Sequence, residues 1–210
     1  MLSRIDEIIY PNRCEVIEFL DPQRFVYPIF KNGSSRLFDH AREQNLKVLI
    51  NEQIKKVPVI DVLLRDPVSR FISGFNTFVY NTKQENSNLD VDTIIYFAEN
   101  YLFLNRHYAP QLSWLINIKR YMGMQSKFKF HDMSMLPTFT ISTNNPAEDK
   151  WLDDATIERL KNNIHIEMYL RLDSLIYQLV GEEMTFIDVM RYLHDQDPVA
   201  YSKIKCIALD

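Results

Sequence analysis

Short apolar blocks fill the first third of the chain, and longer blocks with helical spacing follow. Residues 15–20 read as a strand, Asp21-Pro22-Gln23 as a turn, and residues 24–30 as a second strand. The polar break KNGSS opens a helix through about residue 44. LKVLI, residues 46–50, reads as a short strand. The run VPVIDVLL, residues 57–64, is almost continuously apolar, which predicts a parallel strand buried on both faces.

Beyond it, Val68, Phe71, Ile72, Phe75, Phe78 and Val79 recur with helical period, so residues 67–80 form an amphipathic helix. Residues 82–88 are polar and read as an exposed loop. Residues 91–102 and 110–121 read as helices, 128–130 as a strand and 136–146 as a loop. Residues 153–180 are strongly helical, with Trp151, Leu152, Ile157, Leu160, Ile164 and Met168 spaced for one face. Residues 185–210 read as a further helix and an extended end. Strands alternating with helices predict a three-layer α/β fold, its central sheet mainly parallel and flanked by helices. The whole chain, 1–210, reads as one domain with 181–210 as a C-terminal helical extension. Folds of this class bind ligands beyond the carboxyl ends of their strands.

Composition narrows the partners. Of 210 residues, 46% are hydrophobic and 25% charged, and the net charge is -4, so no global basic field points to nucleic acid or a membrane surface. The 2 cysteines, Cys14 and Cys206, show no metal spacing. The opening MLSRIDEIIYPNR has no long apolar run. We therefore expect no signal peptide, no membrane anchor, no metal, and a cytoplasmic location.

Two stretches carry candidate chemistry. In PIFKNGSSRLF, Gly33 permits a tight turn, Lys31 brings a positive charge, and Ser34 and Ser35 add hydroxyls before a helix N-terminus. Unpaired N–H groups and the helix dipole favour an anion there. A plain turn with a serine N-cap explains the same residues. The triphosphate-binding pattern G-x-x-x-x-G-K-[ST] is absent. In VLLRDPVSRFISGF, Asp66 and Pro67 suit a helix start. Folding alone leaves Arg65, Ser69, Arg70 and Ser73 at a strand's carboxyl end unexplained, and arginine is well shaped for phosphate. Two such stretches in one domain imply a ligand with phosphate at two separated points.

Together these stretches resemble the sulfotransferase family, which uses 3′-phosphoadenosine 5′-phosphosulfate (PAPS) as donor. The chain's Pro28-Ile29-Phe30-Lys31-Asn32-Gly33-Ser34-Ser35 is similar to the family's P-K-x-G-[ST]-[ST] loop, with two extra residues after Pro28. Arg65-Asp66-Pro67-Val68-Ser69-Arg70-Phe71-Ile72-Ser73-Gly74-Phe75 fits R-D-P-x-x-R-x-x-S-x-[FY] throughout. Asn105 to Leu115, with His107, Tyr108, Pro110 and Gln111, resembles the H-[FWY]-x-P-Q segment of carbohydrate sulfotransferases. Arg36 stands where the family commonly has an aromatic or apolar residue.

The resemblance implies a P-loop-like fold with PAPS as co-substrate and a hydroxyl acceptor, which the third segment alone makes a glycan. It implies that Lys31, Asn32, Gly33, Ser34 and Ser35 hold the 5′-phosphosulfate, and that Arg65 and Ser73 hold the 3′-phosphate. The short form without an anchor looks bacterial or viral; a viral version would act in the host cytoplasm. Lys31 is the expected stabiliser of the leaving oxygen. For the general base, Glu52, His107 and His40 stay open, while His131, His165 and His194 read as surface or packing residues. Residues 126–130 or 143–145 are candidates for the adenine side. The rival readings are a kinase-like phosphotransferase and a non-catalytic nucleotide-binding module.

Overall fold

The computed structural model describes residues 14–29, 31–85, 90–100, 106–133 and 152–202. Strands β1 (Glu15–Leu20), β2 (Gln23–Tyr27), β3 (Lys47–Ile50), β4 (Val59–Leu64), β5 (Lys127–Asp132) and β6 (Glu183–Thr185) form one sheet in the order β3-β1-β2-β4-β5-β6. Helices are α1 (Ser34–Glu43), α2 (Pro67–Glu85), α3 (Val91–Asn100), α4 (Gln111–Lys119), α5 (Asp154–Lys161), α6 (Ile164–Tyr177) and α7 (Phe186–Gln196).

The α/β class is as expected, but the sheet is mixed rather than mainly parallel. Only β2–β4 and β4–β5 pair in parallel, while β1–β2, β1–β3 and β5–β6 are antiparallel. The cause at one end is the Asp21-Pro22 link, which is far too short for the crossover that parallel neighbours need. The second strand also ends at Tyr27, before Pro28, instead of reaching residue 30. Strand β4 is buried along almost its whole length between two parallel neighbours, as its apolar run predicts.

Helices cover both faces. Val16, Tyr27, Ile60, Val62, Leu64, Phe128 and Phe130 pack with residues of α4, α6 and α7, including Leu112, Leu172, Ile176, Val189 and Leu193. On the opposite face, Ile17, Val26 and Leu63 lie under Leu37 and Ala41 of α1. A third cluster joins Phe71, Phe75, Phe78 and Val79 of α2 to Ile95, Tyr108, Leu160 and Ile166.

Three boundaries differ from expectation. Helix α2 runs to Glu85, through the stretch read as a loop; Thr82 donates its hydroxyl proton to the Phe78 carbonyl at 2.8 Å. No Gly or Pro stands in residues 82–85 to stop the helix. The long helix over 153–180 is two helices, because the Asn163 side chain accepts from the N–H groups of His165 and Ile166 and starts α6 afresh. Beyond 181, β6 joins the sheet and α7 enters the main core. The loop read over 136–146 lies outside the described residues.

The Tyr108 ring sits edge-on to Phe71, Phe75 and Phe78, with centroids 6.2, 5.0 and 5.3 Å apart. Beside it the α2 backbone at Gly74 approaches so closely that a Cβ would stand 1.8 Å from the His107 carbonyl oxygen. These contacts dock the segment 106–110 onto α2. At the far end of α6 the Tyr177 hydroxyl donates to Asp132, at the carboxyl end of β5.

Candidate functional site

Strands β2, β4 and β5 all run the same way, so their carboxyl ends share one edge. The turn after β2 ends in Lys31 (φ 67°) and Gly33 (φ 79°), both left-handed. Gly33 is the N-cap of α1, and no side chain caps the helix. A serine cap therefore does not account for KNGSS, and the first turn of α1 keeps N–H groups that no side chain caps. Ser34 is buried and Ser35 exposed.

Asn32 has a different place from the one its neighbours suggest. It is fully buried, and its Nδ2 donates to the Leu63 carbonyl and to Gln111 Oε1, each at 2.7 Å. It anchors the turn to β4 and α4.

The second stretch converges on the first. Arg65 Nη1 donates to the Lys31 carbonyl at 3.2 Å. Lys31 Nζ donates to Thr77 Oγ1 at 2.6 Å, and that hydroxyl donates to the Ser73 carbonyl at 3.1 Å. Lys31, Arg65 and the Ser73 turn of α2 thus stand together. Asp66 serves as the helix start, accepting from the Ser69 N–H at 2.8 Å. Arg70 is 1% exposed, and its Nη1 donates to the Ala109 carbonyl. It is a buried brace, not a surface contact for a ligand.

Gln111 and Asp173 hold the two arms in register. Gln111 Oε1 accepts from Asn32 and also from the Arg65 N–H at 3.1 Å, while its Nε2 donates to the Arg65 carbonyl at 3.2 Å. The Asp173 carboxylate accepts from the Gln111 N–H at 2.8 Å and the Leu112 N–H at 3.3 Å. Sequence reasoning did not single out Thr77, Gln111 or Asp173 for these tasks. Gln111 falls in the segment 105–115, but its partners are set only by the fold.

The charge balance favours an anion. Burial lowers the Lys31 ammonium from its ordinary range, and the nearby Arg65 and Arg70 charges lower it further. Burial brings Arg70 down to about 10, against the pull of Asp173. Burial raises Asp173 to about 6, against Arg70 and the two N–H donors. His107 is brought down to about 4, by burial first and then by Lys31 and Arg106. An arriving dianion relieves the repulsion that bears on Lys31 and His107.

The three expected bases lie in unlike settings. His107 is neutral at pH 7 and 8% exposed, and its lowered basicity makes it a weak proton acceptor. Glu52 is exposed on the 3-10 turn Asn51–Lys56 and lines a groove with Glu18, Phe25, Lys47, Gln53 and Lys56, none of them a cradle residue. His40 stacks on Phe19 at 6.0 Å, late in α1 and about 10 Å of helix beyond Gly33. Phe128 and Phe130 are fully buried in β5, so neither ring is open to an adenine, and residues 143–145 lie outside the described residues. Among the described residues no group of three or more His, Cys, Asp or Glu is placed to hold a metal, and no helix is long and apolar enough to cross a membrane.

Compared with family models, curated proteins and solved structures, the chain matches none.

Proposed function

We propose that the chain is a sulfotransferase that moves a sulfuryl group from PAPS to a hydroxyl group, on an acceptor of carbohydrate class. One observation carries this reading: Lys31, the uncapped start of α1, and Arg65 stand side by side at adjacent strand ends, linked by the Arg65–Lys31 hydrogen bond. That arrangement suits a ligand with two phosphate groups a fixed distance apart. In this reading Lys31, Gly33, Ser34 and Ser35 receive the 5′-phosphosulfate, and Arg65 with Ser73 receives the 3′-phosphate. Asn32 supports the loop from behind. The carbohydrate class follows from the likeness of residues 105–115 to the carbohydrate sulfotransferases.

Transfer needs positioning and charge stabilisation more than covalent chemistry by the protein. The acceptor oxygen attacks sulfur as the bond from sulfur to the 5′-phosphate oxygen breaks. Lys31 offsets the charge that develops on that oxygen, once the incoming ligand draws its ammonium from Thr77.

The test is calorimetry and thermal shift with adenosine 3′,5′-bisphosphate (PAP), AMP and ATP. PAP raises the midpoint well beyond the other two. Equal effects from all three sink the donor assignment. Arg65→Ala removes the preference for a 3′-phosphate, whereas Lys31→Ala abolishes transfer with a smaller effect on PAP affinity.

A further inference from the structure

A second polar constellation lies on the α1 side of the sheet, spread over its parallel strands. Asp61 of β4 is 5% exposed. Its Oδ2 accepts from Arg24 Nε of β2 at 3.0 Å, and its Oδ1 is hydrogen-bonded to His131 Nε2 of β5. The Arg24 Nη2 lies 3.2 Å from the same ring nitrogen. The sequence places His131 among surface or packing residues, yet the structure puts it in a three-strand ionic group.

A carboxylate in the middle strand of a sheet is costly unless paired, and here two partners offset that cost. With the ring proton on Nε2, toward Asp61, that nitrogen has no lone pair for Arg24, and Nδ1 keeps one. The His131 side chain keeps 18% of its surface exposed, against 7% for Asp61. It is thus a partly open imidazole backed by a buried acid.

Its position ties it to the anion cradle. His131 pairs in register with Leu63, two residues before Arg65 on the neighbouring strand. Met133 follows just past the end of β5. Its sulfur lies 3.6 Å from where a Cβ on Gly33 would stand. His131 is thus two residues in sequence from the side chain that lies beside the cradle glycine.

We propose that His131, oriented by Asp61, is the general base that accepts the proton of the attacking hydroxyl. The proposal rests on the sulfotransferase reading. As the acceptor O–S bond forms and the S–O bond to the 5′-phosphate breaks, the electron pair leaves with PAP and the hydroxyl proton passes to Nδ1. Asp61 then faces an imidazolium whose charge it stabilises. Glu52, by contrast, lines a groove away from the cradle, and His107 is a weak proton acceptor.

The experiment measures PAP affinity by calorimetry and PAP release from PAPS with hexoses, simple alcohols and water as acceptors. His131→Ala and the closer substitution His131→Gln keep PAP affinity within about twofold and lower the transfer rate by about 100-fold or more. Added imidazole restores part of the rate in His131→Ala and none in Lys31→Ala, a rescue that a purely structural histidine does not allow. Asp61→Asn slows transfer with PAP affinity kept. If PAP binds and wild-type transfer proceeds, but His131→Gln transfers at the wild-type rate, the base assignment falls and the donor reading stands. If the wild type binds no PAP, both fall.

Discussion

The carboxamide oxygen of Gln111 accepts from Asn32 Nδ2 at 2.7 Å and from the Arg65 N–H at 3.1 Å, so one atom joins the turn after β2 to the end of β4. The bond spans 79 residues of chain and is wholly buried. Gln111 is itself held at its N–H by Asp173, which also faces Arg70. The spacing between the arms is therefore set behind the site, by residues no ligand touches.

Gln111→Leu removes this shared acceptor. Asn32 Nδ2 and the part-buried Arg65 N–H lose their acceptor and the Arg65 carbonyl loses its donor, at a combined cost of about 2–5 kcal/mol. The thermal midpoint falls by roughly 5–15 °C for a chain of this size. PAP affinity falls about tenfold, measured by calorimetry below the variant's midpoint. Unchanged PAP affinity in a folded Gln111→Leu protein refutes the spacing role.

The two glycines near the site fail differently when replaced. Gly33→Ala meets only Met133 Sδ, 3.6 Å away, so its cost is that of a left-handed alanine, about 1–2 kcal/mol. The protein folds and binds PAP less well. Gly74→Ala drives a methyl to 1.8 Å from the His107 carbonyl, a backbone group that cannot swing aside. It costs about 3 kcal/mol or more and separates α2 from the segment carrying His107 and Tyr108. Thermal melts rank the two, and a Gly74→Ala protein as stable as Gly33→Ala rules out the close approach.

Stability against pH carries two opposed slopes. His107 titrates at about 4 in the fold, against 6.5 ordinarily, so the unfolded chain binds the extra proton between those values. Its contribution is full above about pH 6.5 and is lost as pH falls through about 4. Asp173 titrates at about 6, against 3.8 ordinarily, so the folded chain binds the extra proton. Its contribution is full below about pH 3.8 and is lost as pH rises through about 6. His107→Gln therefore flattens the loss of stability between pH 6.5 and 4, and Asp173→Asn steepens it. Denaturant melts at several pH values measure both, and slopes that move the other way contradict the assignment.

What the sequence made legible was local. Val59–Leu64 had the composition of a doubly covered strand, and Arg65, Asp66 and Pro67 marked a strand-to-helix join with polarity left over. Gly33 stood out for the tight turn it permits before a helix, and Lys31 for its charge beside that turn. The residues that fix the geometry were hidden, because their partners are distant in sequence. Nothing in the neighbours of Gln111 points to Asn32, and nothing around His131 points to Asp61, 70 residues earlier. At the β6 end the mixed sheet escaped for the same reason, since its pairing direction depends on where α6 delivers the chain.

Strand β6 and helix α7 come late in the chain, yet they cover the edge of β5 and send Val189 and Leu193 into the main core. Asp173 also lies late in the chain. A ribosome therefore releases Lys31 and Arg65 long before the parts that brace them. Until β6 arrives, the nascent chain exposes an unpaired strand edge of the kind that other chains join. Vectorial synthesis thus makes the anion site among the last things completed, and a stalled or truncated product carries its cationic arms without their spacing.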